Sequence, residues 1–343
     1  MSVAVLGPDA LEWEPFEGGT RFAAEWADLS RRLGASKLGY GRWSIPPGKA
    51  SVPYHYHLVN EELAVVLEGE PSIRLGGGEH RLAPGDVVAL PAGEGSAHQL
   101  MNRSETPARL ILASTMLPRE LVEYPDSEKW LWAIRGLARE EGEASIVVKD
   151  RRVVSGGSGG PYLEGEAVDE PLPPPEPAAD PDPRVVRPDR LAWEGYTLGP
   201  FRAERKRLAK RAGARLLGYS LYRLSPGERP WAHHYHHVNE EAFFVLEGRG
   251  RLRTGDGEAE IGGGDAIACP AGPGGAHSIE AIGERPLVYL ALSTMEEPDV
   301  VAYPESGNIA VLAGSAPGGD PAQRTLSGYF RMEDAISPEE GER

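Results

Sequence analysis

The chain holds a single cysteine, Cys269, among its 343 residues. One thiol makes no intramolecular disulfide and assembles no thiolate metal cluster, so the expected home is a reducing, cytoplasmic one. Positive charge is also scarce. The 36 Lys and Arg stand against 52 Asp and Glu, a formal charge of −16, which argues against nucleic acid or an anionic membrane surface as the main partner. No apolar run reaches membrane-spanning length. The N-terminal stretch MSVAVLGPDALEWEPFEGG has no basic start, and its apolar run is broken at Gly7, Pro8 and Asp9, so neither an anchor nor an export signal is expected. What the chain has in excess is glycine and proline, 43 and 31 residues. They suit many short strands and tight turns better than long helices, and the expected class is all-β.

Short apolar runs dominate: KLGYGRWSI, EELAVVLEG, PSIRL, EHRL, DVVALP, AHQLMN and ARLILAST, separated by breaks containing glycine, proline or asparagine. This reads as a series of antiparallel strands. One helix is expected over TRFAAEWADLSRRLG, where Phe22, Trp26, Leu29 and Leu33 fall at helical spacing and Gly34 follows as a C-terminal stop. Residues 152–190 contain SGGSGG and EPLPPPEPAADPDP, a composition that reads as an interdomain linker. The expected domains are therefore 1–151 and 191–343, the second with a C-terminal tail.

The second domain repeats the first. His55 and His234 stand 179 positions apart, as do His57 and His236, Glu62 and Glu241, His98 and His277, Gly69 and Gly248, Pro91 and Pro270, and Tyr124 and Tyr303. An unbroken register over several strands implies two copies of one β-fold. In the second copy the expected helix is basic, with Arg202, Arg205, Lys206, Arg207, Lys210, Arg211 and Arg215. A solvated helix face is preferred there over an anion-binding one.

In the stretch PYHYHLVNEELAVVLEG, residues 53–69, His55 and His57 are two apart and so share one face of a strand. An acidic pair, Glu61 and Glu62, opens the next apolar run, and a later strand presents His98. Three imidazoles and a carboxylate on neighbouring strands suit a borderline divalent metal such as iron, manganese, nickel, copper or zinc. Four protein ligands leave positions open on an octahedral ion, which a catalytic metal requires.

These motifs resemble the cupin superfamily, and two copies resemble a bicupin. The first motif runs from Gly48 through His55, His57 and Glu62 to Gly69, and the second from Gly85 through Pro91, Gly93 and His98 to Asn102. Within the family the chain is most similar to bacterial bicupins without an assigned activity. The resemblance implies two double-stranded β-helix, jelly-roll-like barrels, each holding one divalent metal. The ligands so implied are His55, His57, Glu62 and His98, then His234, His236, Glu241 and His277, with Glu61 and Glu240 as possible substitutes. Ala281 replaces the motif asparagine in the second copy, and His233 and His237 crowd the His-x-His pair from the other face. Cys269 and the pair Tyr40 and Tyr219 read as core, and Arg74 and Arg253 as outer-face residues. No residue beyond the ligand set is singled out as catalytic.

A divalent ion with one glutamate keeps about one positive charge in a water-poor barrel. The expected ligand is therefore a small anionic carboxylate, phenolate or enolate. The leading expectation is a dioxygenase-like oxidoreductase. The alternatives are a metal-dependent decarboxylase or isomerase of a small acid or sugar, and a non-catalytic small-molecule-binding protein. A monomer and a homodimer fit equally.

Overall fold

The computed structural model describes residues 1–134, 144–148, 151–155 and 160–340. The apolar runs are strands, and they curl into two barrels of the same topology. In the first, Glu62–Glu68 lies between Val87–Leu90 and Ala108–Thr115, and the latter pairs with Leu38–Ile45. In the second, Glu241–Glu247 lies between Ala266–Cys269 and Leu287–Thr294, which pairs with Leu217–Leu224. The fold is all-β, a tandem of jelly-roll-like barrels with a few short helices. No helix among the described residues is long and apolar enough to cross a membrane.

The uninterrupted apolar character of these strands follows from burial on both faces. In the first copy Ala64 and Val66 point into the barrel with Val88, while Leu63 and Val65 point outward into a core shared with Phe244 and Leu290 of the second barrel. In the second copy the parity repeats: Phe243 and Val245 fill the barrel, Ala242 and Phe244 the shared core. Each strand stops at a glycine, Gly69 or Gly248, with φ of 79° and 81°. A Cβ there would run into the carbonyl of Pro107 or Pro286, so the motif position tolerates no side chain.

The barrels also exchange strands. Ala4–Leu6 at the N-terminus pairs with Ala266–Cys269 of the second barrel, and Val185–Val186 pairs with Val87–Val88 of the first. The SGGSGG stretch falls largely outside the described residues. The rest of the segment expected as linker lies along the first barrel: Leu163, Val168 and Leu172 pack on Phe16, Phe22 and Met101, and Glu166 pairs with the buried Lys129. A few apolar residues set among the prolines are enough to hold it there.

The expected helix is mostly strand. Phe22–Asp28 pairs with Glu14–Gly18 on one side and Leu38–Ile45 on the other, and only Leu29–Leu33 is helical. Between them these two partners pair every residue from Phe22 to Asp28, and this tertiary gain overrides the helical spacing. Asp28 caps the remaining helix by accepting from the Arg31 amide, and Gly34 ends it in the left-handed region. The second copy does the same, with strand Phe201–Arg207 and helix Leu208–Ala212. The basic run is thus not one solvated helix face. Lys206 is buried and donates to the Pro188 carbonyl at 2.7 Å, while Arg205 and Arg207 occupy the opposite face of the strand.

Candidate metal centres

His55 and His98 face each other across an isolated antiparallel bridge, each amide donating to the other's carbonyl at 3.1 and 2.8 Å. The bridge sets their rings 4.4 Å apart, and the two-residue offset to His57 brings that ring within 5.1 Å of His55. Glu62, the first residue of its strand, reaches all three: its Oε2 lies 3.2 Å from His57 Nε2, 3.3 Å from His98 Nε2 and 4.0 Å from His55 Nε2. In the second barrel Glu241 Oε2 lies 3.5 Å from His236 Nε2 and 3.4 Å from His277 Nε2. His234 joins the set, with ligand atoms of His234, His236 and Glu241 mutually within 4.8 Å. The eight residues expected from the sequence come together as two clusters of four.

The far side of each ring explains why Nε2 faces inward. Nδ1 of His55, His98, His234 and His277 lies 2.8–3.0 Å from the carbonyl of Pro53, Ser96, Ala232 or Gly275. A carbonyl only accepts, so Nδ1 carries the proton and Nε2 keeps its lone pair for the cluster. The remaining two rings turn to carboxylates. His236 Nδ1 is 2.6 Å from Asp299 Oδ2, and His57 Nδ1 is 3.3 Å from Glu120 Oε2. Asp299 accepts from Asn239, whose own oxygen accepts from Thr294. Glu120, Asn60 and Thr115 form the same chain in the first barrel. These outer residues were not singled out in the sequence, although the 179-residue offset relates Asn60 to Asn239, Thr115 to Thr294 and Glu120 to Asp299.

Electrostatics divides the rings. Burial and the neighbouring imidazoles push His55 down to about 3, and burial lowers His234 and His277. For His57 burial opposes the charge, but Glu62 and Glu120 on its two sides overcome it and raise it to about 10. His236 is raised in the same way by Glu241 and Asp299 against its burial. Glu241 Oε2 is buried without a hydrogen-bond donor. A buried carboxylate oxygen with no hydrogen-bond partner, ringed by imidazole nitrogens, is the environment a cation satisfies, and the donor set of three nitrogens and one oxygen suits a divalent transition metal.

The substitutes do not take part. Glu61 turns away from the first barrel and accepts from the amides of Arg215, Leu216 and Leu217 in the second. Glu240 reciprocates on Ser36, Lys37 and Leu38. Neighbours on a strand face opposite ways, so only one glutamate of each pair can point into its barrel. His237 is exposed and His233 sits outside the second cluster. Arg74 and Arg253 pair with Asp126 and Glu305. Cys269 is buried, and burial pushes its thiol well up. Tyr40 and Tyr219 belong to the shared core.

Access differs between the barrels. Tyr124 stacks on His55 at 5.7 Å and Tyr303 on His234 at 6.0 Å. Over the first, Tyr162 of the 160–172 segment packs edge-on against Tyr124 at 5.8 Å. In the second barrel His234, His236, Glu241 and His277 line a cavity of about 800 Å³ whose walls include Trp231, Phe243 and Tyr289.

Residues 41–114 and 220–293 each match the cupin domain family. The tetracenomycin polyketide synthase protein TcmJ of Streptomyces glaucescens is 32% identical over 97 residues, 28% of this chain and 63% of the relative. The uncharacterized protein MJ1618 of Methanocaldococcus jannaschii is 40% identical over 60 residues, 18% of this chain and 46% of the relative. The chain thus spans less than two thirds of the length of either relative. Oxalate decarboxylase from Bacillus subtilis shares the fold, with a TM-score of 0.51 over 85% of this chain and 76% of that chain at 16% identity. Two matches to the cupin domain family in one chain, one in each barrel, make this protein a bicupin of the cupin superfamily.

Proposed function

We propose that this bicupin is a metal-dependent oxidoreductase of the dioxygenase kind, acting on a small phenolic, enolic or carboxylate substrate. The observation that carries the reading is the second barrel's cavity of about 800 Å³, which reaches the four-residue cluster between aromatic walls. His55, His57, Glu62 and His98 hold one ion, and His234, His236, Glu241 and His277 the other. A redox-active divalent metal there supplies Lewis acidity and access to dioxygen chemistry. The protein's part is positioning and charge. One carboxylate per cluster leaves a divalent ion with a net positive charge, which attracts an anionic oxygen. Asp299 and Asn239 hold the His236 ring, and Phe243 packs against His277 at 5.2 Å, excluding water from one side of the cluster. The match to a polyketide synthase protein supports the same substrate class, polyketides being rich in enolic and phenolic oxygens.

Elemental analysis of the purified protein and of its His57→Ala and His236→Ala variants tests the ligands. Each substitution is expected to remove about half of the bound metal, and metal content unchanged in both refutes the assignment. Oxygen uptake on addition of catecholic or enolic acids to iron- or manganese-loaded protein is the expected activity. Release of carbon dioxide without oxygen uptake would instead mark a decarboxylase.

A further inference from the structure

The basic run of the second copy acquires a use once it is seen as a strand. Across the sheet, Glu241 is paired with Ser293 and Phe243 with Ala291. Ala291 pairs with Ser220, and Ser220 with Arg207. One row further along, Tyr289 pairs with Tyr222, and Tyr222 with Arg205. These residues line the same cavity as the histidine cluster. The arginine strand is three strand spacings from that of Glu241, about 14 Å measured along the sheet at ~4.8 Å per strand.

Arg205 is half-buried, with its guanidinium 5.0 Å from the centre of the Tyr196 ring. Its cross-strand partner is Glu194, yet that carboxylate lies against Arg207 at 3.5 Å. Among the described residues no carboxylate lies within ion-pair distance of Arg205. The first copy has nothing comparable. At the equivalent positions it carries Trp26, stacked on Trp43 at 5.5 Å, and Asp28, which caps a helix. The aromatic wall is also peculiar to the second copy: Ala64 and Leu110 stand where Phe243 and Tyr289 do.

We infer that Arg205, with Arg207 beside it, is an anion-binding subsite at the end of the second barrel's cavity remote from the histidine cluster. The barrel thereby selects ligands that carry an anionic oxo group at the end opposite the oxygen that meets the metal, joined by an aromatic or conjugated body. The inference rests on reading the second barrel as the substrate site. Its planar, five-donor guanidinium suits a carboxylate or a phosphate, and the Tyr196 face beneath it preorganises the charge.

The test uses the full-length, metal-loaded protein and two compounds that differ only in the remote acid, 3-(3,4-dihydroxyphenyl)propanoate and 4-ethylcatechol, titrated anaerobically by calorimetry. The acid is expected to bind about tenfold more tightly, the scale of one charge-assisted hydrogen bond. Arg205→Gln should bring the two affinities within about twofold of each other by weakening the acid alone. Arg205→Trp, which installs the first copy's residue, should do the same, and Arg205→Lys should keep part of the preference. The inference is overturned if the wild type shows no preference, if Arg205→Gln and Arg205→Trp both leave it intact while their thermal midpoints match the wild type, or if neither compound binds. Repeating the titration after chelation separates this outcome from failure of the metal reading. In that failure 4-ethylcatechol binds alike with and without metal while the Arg205-dependent preference stays; in failure of the subsite the preference is absent and the metal dependence remains.

Discussion

Asp299 does for His236 what a carbonyl does for its neighbours, and it adds a charge. Held by Asn239 and the Val238 amide, it fixes both the ring's orientation and its tautomer. Asp299→Asn keeps the shape and loses the charge, and is expected to weaken metal retention in the second barrel by about 10–100-fold. Competition with a chromogenic chelator in the His57→Ala background reads that site alone. The titrations of the rings also predict the pH response of the metal-free protein. His55, His234 and His277 are held neutral below their ordinary value. The unfolded chain therefore binds more protons than the native one under acid, and stability falls as pH drops below about 6.5, for His55 down to about 3. His57 and His236 are raised instead; their contribution is complete below about 6.5 and lost as pH rises, for His57 through about 10. Denaturant unfolding after chelation should give a stability maximum near pH 6.5, and His57→Gln should flatten its alkaline side. A profile that keeps rising to pH 9 contradicts the assignment.

The alternation of a strand gives the two adjacent glutamates separate tasks. Glu62 and Glu241 point into the barrels, and Glu61 and Glu240 each close three backbone amides of the partner barrel. Removing Glu61 as Glu61→Ala leaves buried donors unsatisfied. The expected cost is about 3 kcal/mol or more, at roughly 1–3 kcal/mol for each donor that water does not reach, with metal content of the first barrel unchanged. Glu62→Gln should instead lose the metal of the first barrel, and its cost to the chelated protein should shrink as pH rises and the His57 charge it supports is lost. Denaturation and elemental analysis of the two variants side by side decide it; parallel behaviour of the pair would remove the distinction. The neighbouring strand Phe22–Asp28 shows the limit of pattern reading at this scale. Its apolar spacing fits a helix, and only the strands on either side of it make the extended form better.

As a whole molecule the two barrels behave as one unit. Leu38, Leu63 and Val65 of the first share a core with Leu217, Phe244 and Leu290 of the second, and each sheet is completed by the short strand that precedes the other barrel in the chain. A chain beginning at residue 191 would expose half of that core and lack the Ala4–Leu6 strand. It is expected to aggregate on expression, whereas the full chain should unfold in one transition that chelation moves to lower temperature. Two resolved transitions in calorimetry would show the barrels to be independent.

The β class, the duplication and the six histidines of the two clusters were legible in the sequence alone, while Glu62 and Glu241 came only from the resemblance to the cupin motif. The legible features rest on linear properties: the two-residue period of a strand, the glycine that ends it, and a constant offset between copies. The tertiary structure decided what depends on contacts between distant segments. It chose Glu62 over Glu61, because the second barrel supplies amides to one face only. It brought Glu120 and Asp299 behind His57 and His236 from strands about sixty residues further on. It turned Arg205 and Arg207 from a supposed helix surface to a cavity wall, and laid Tyr162 of the proline-rich segment over the first centre. A short stretch of sequence records which faces of an element are apolar. What those faces meet is set by the packing of the whole chain, and the chemistry at the rims of these sites depends on that packing.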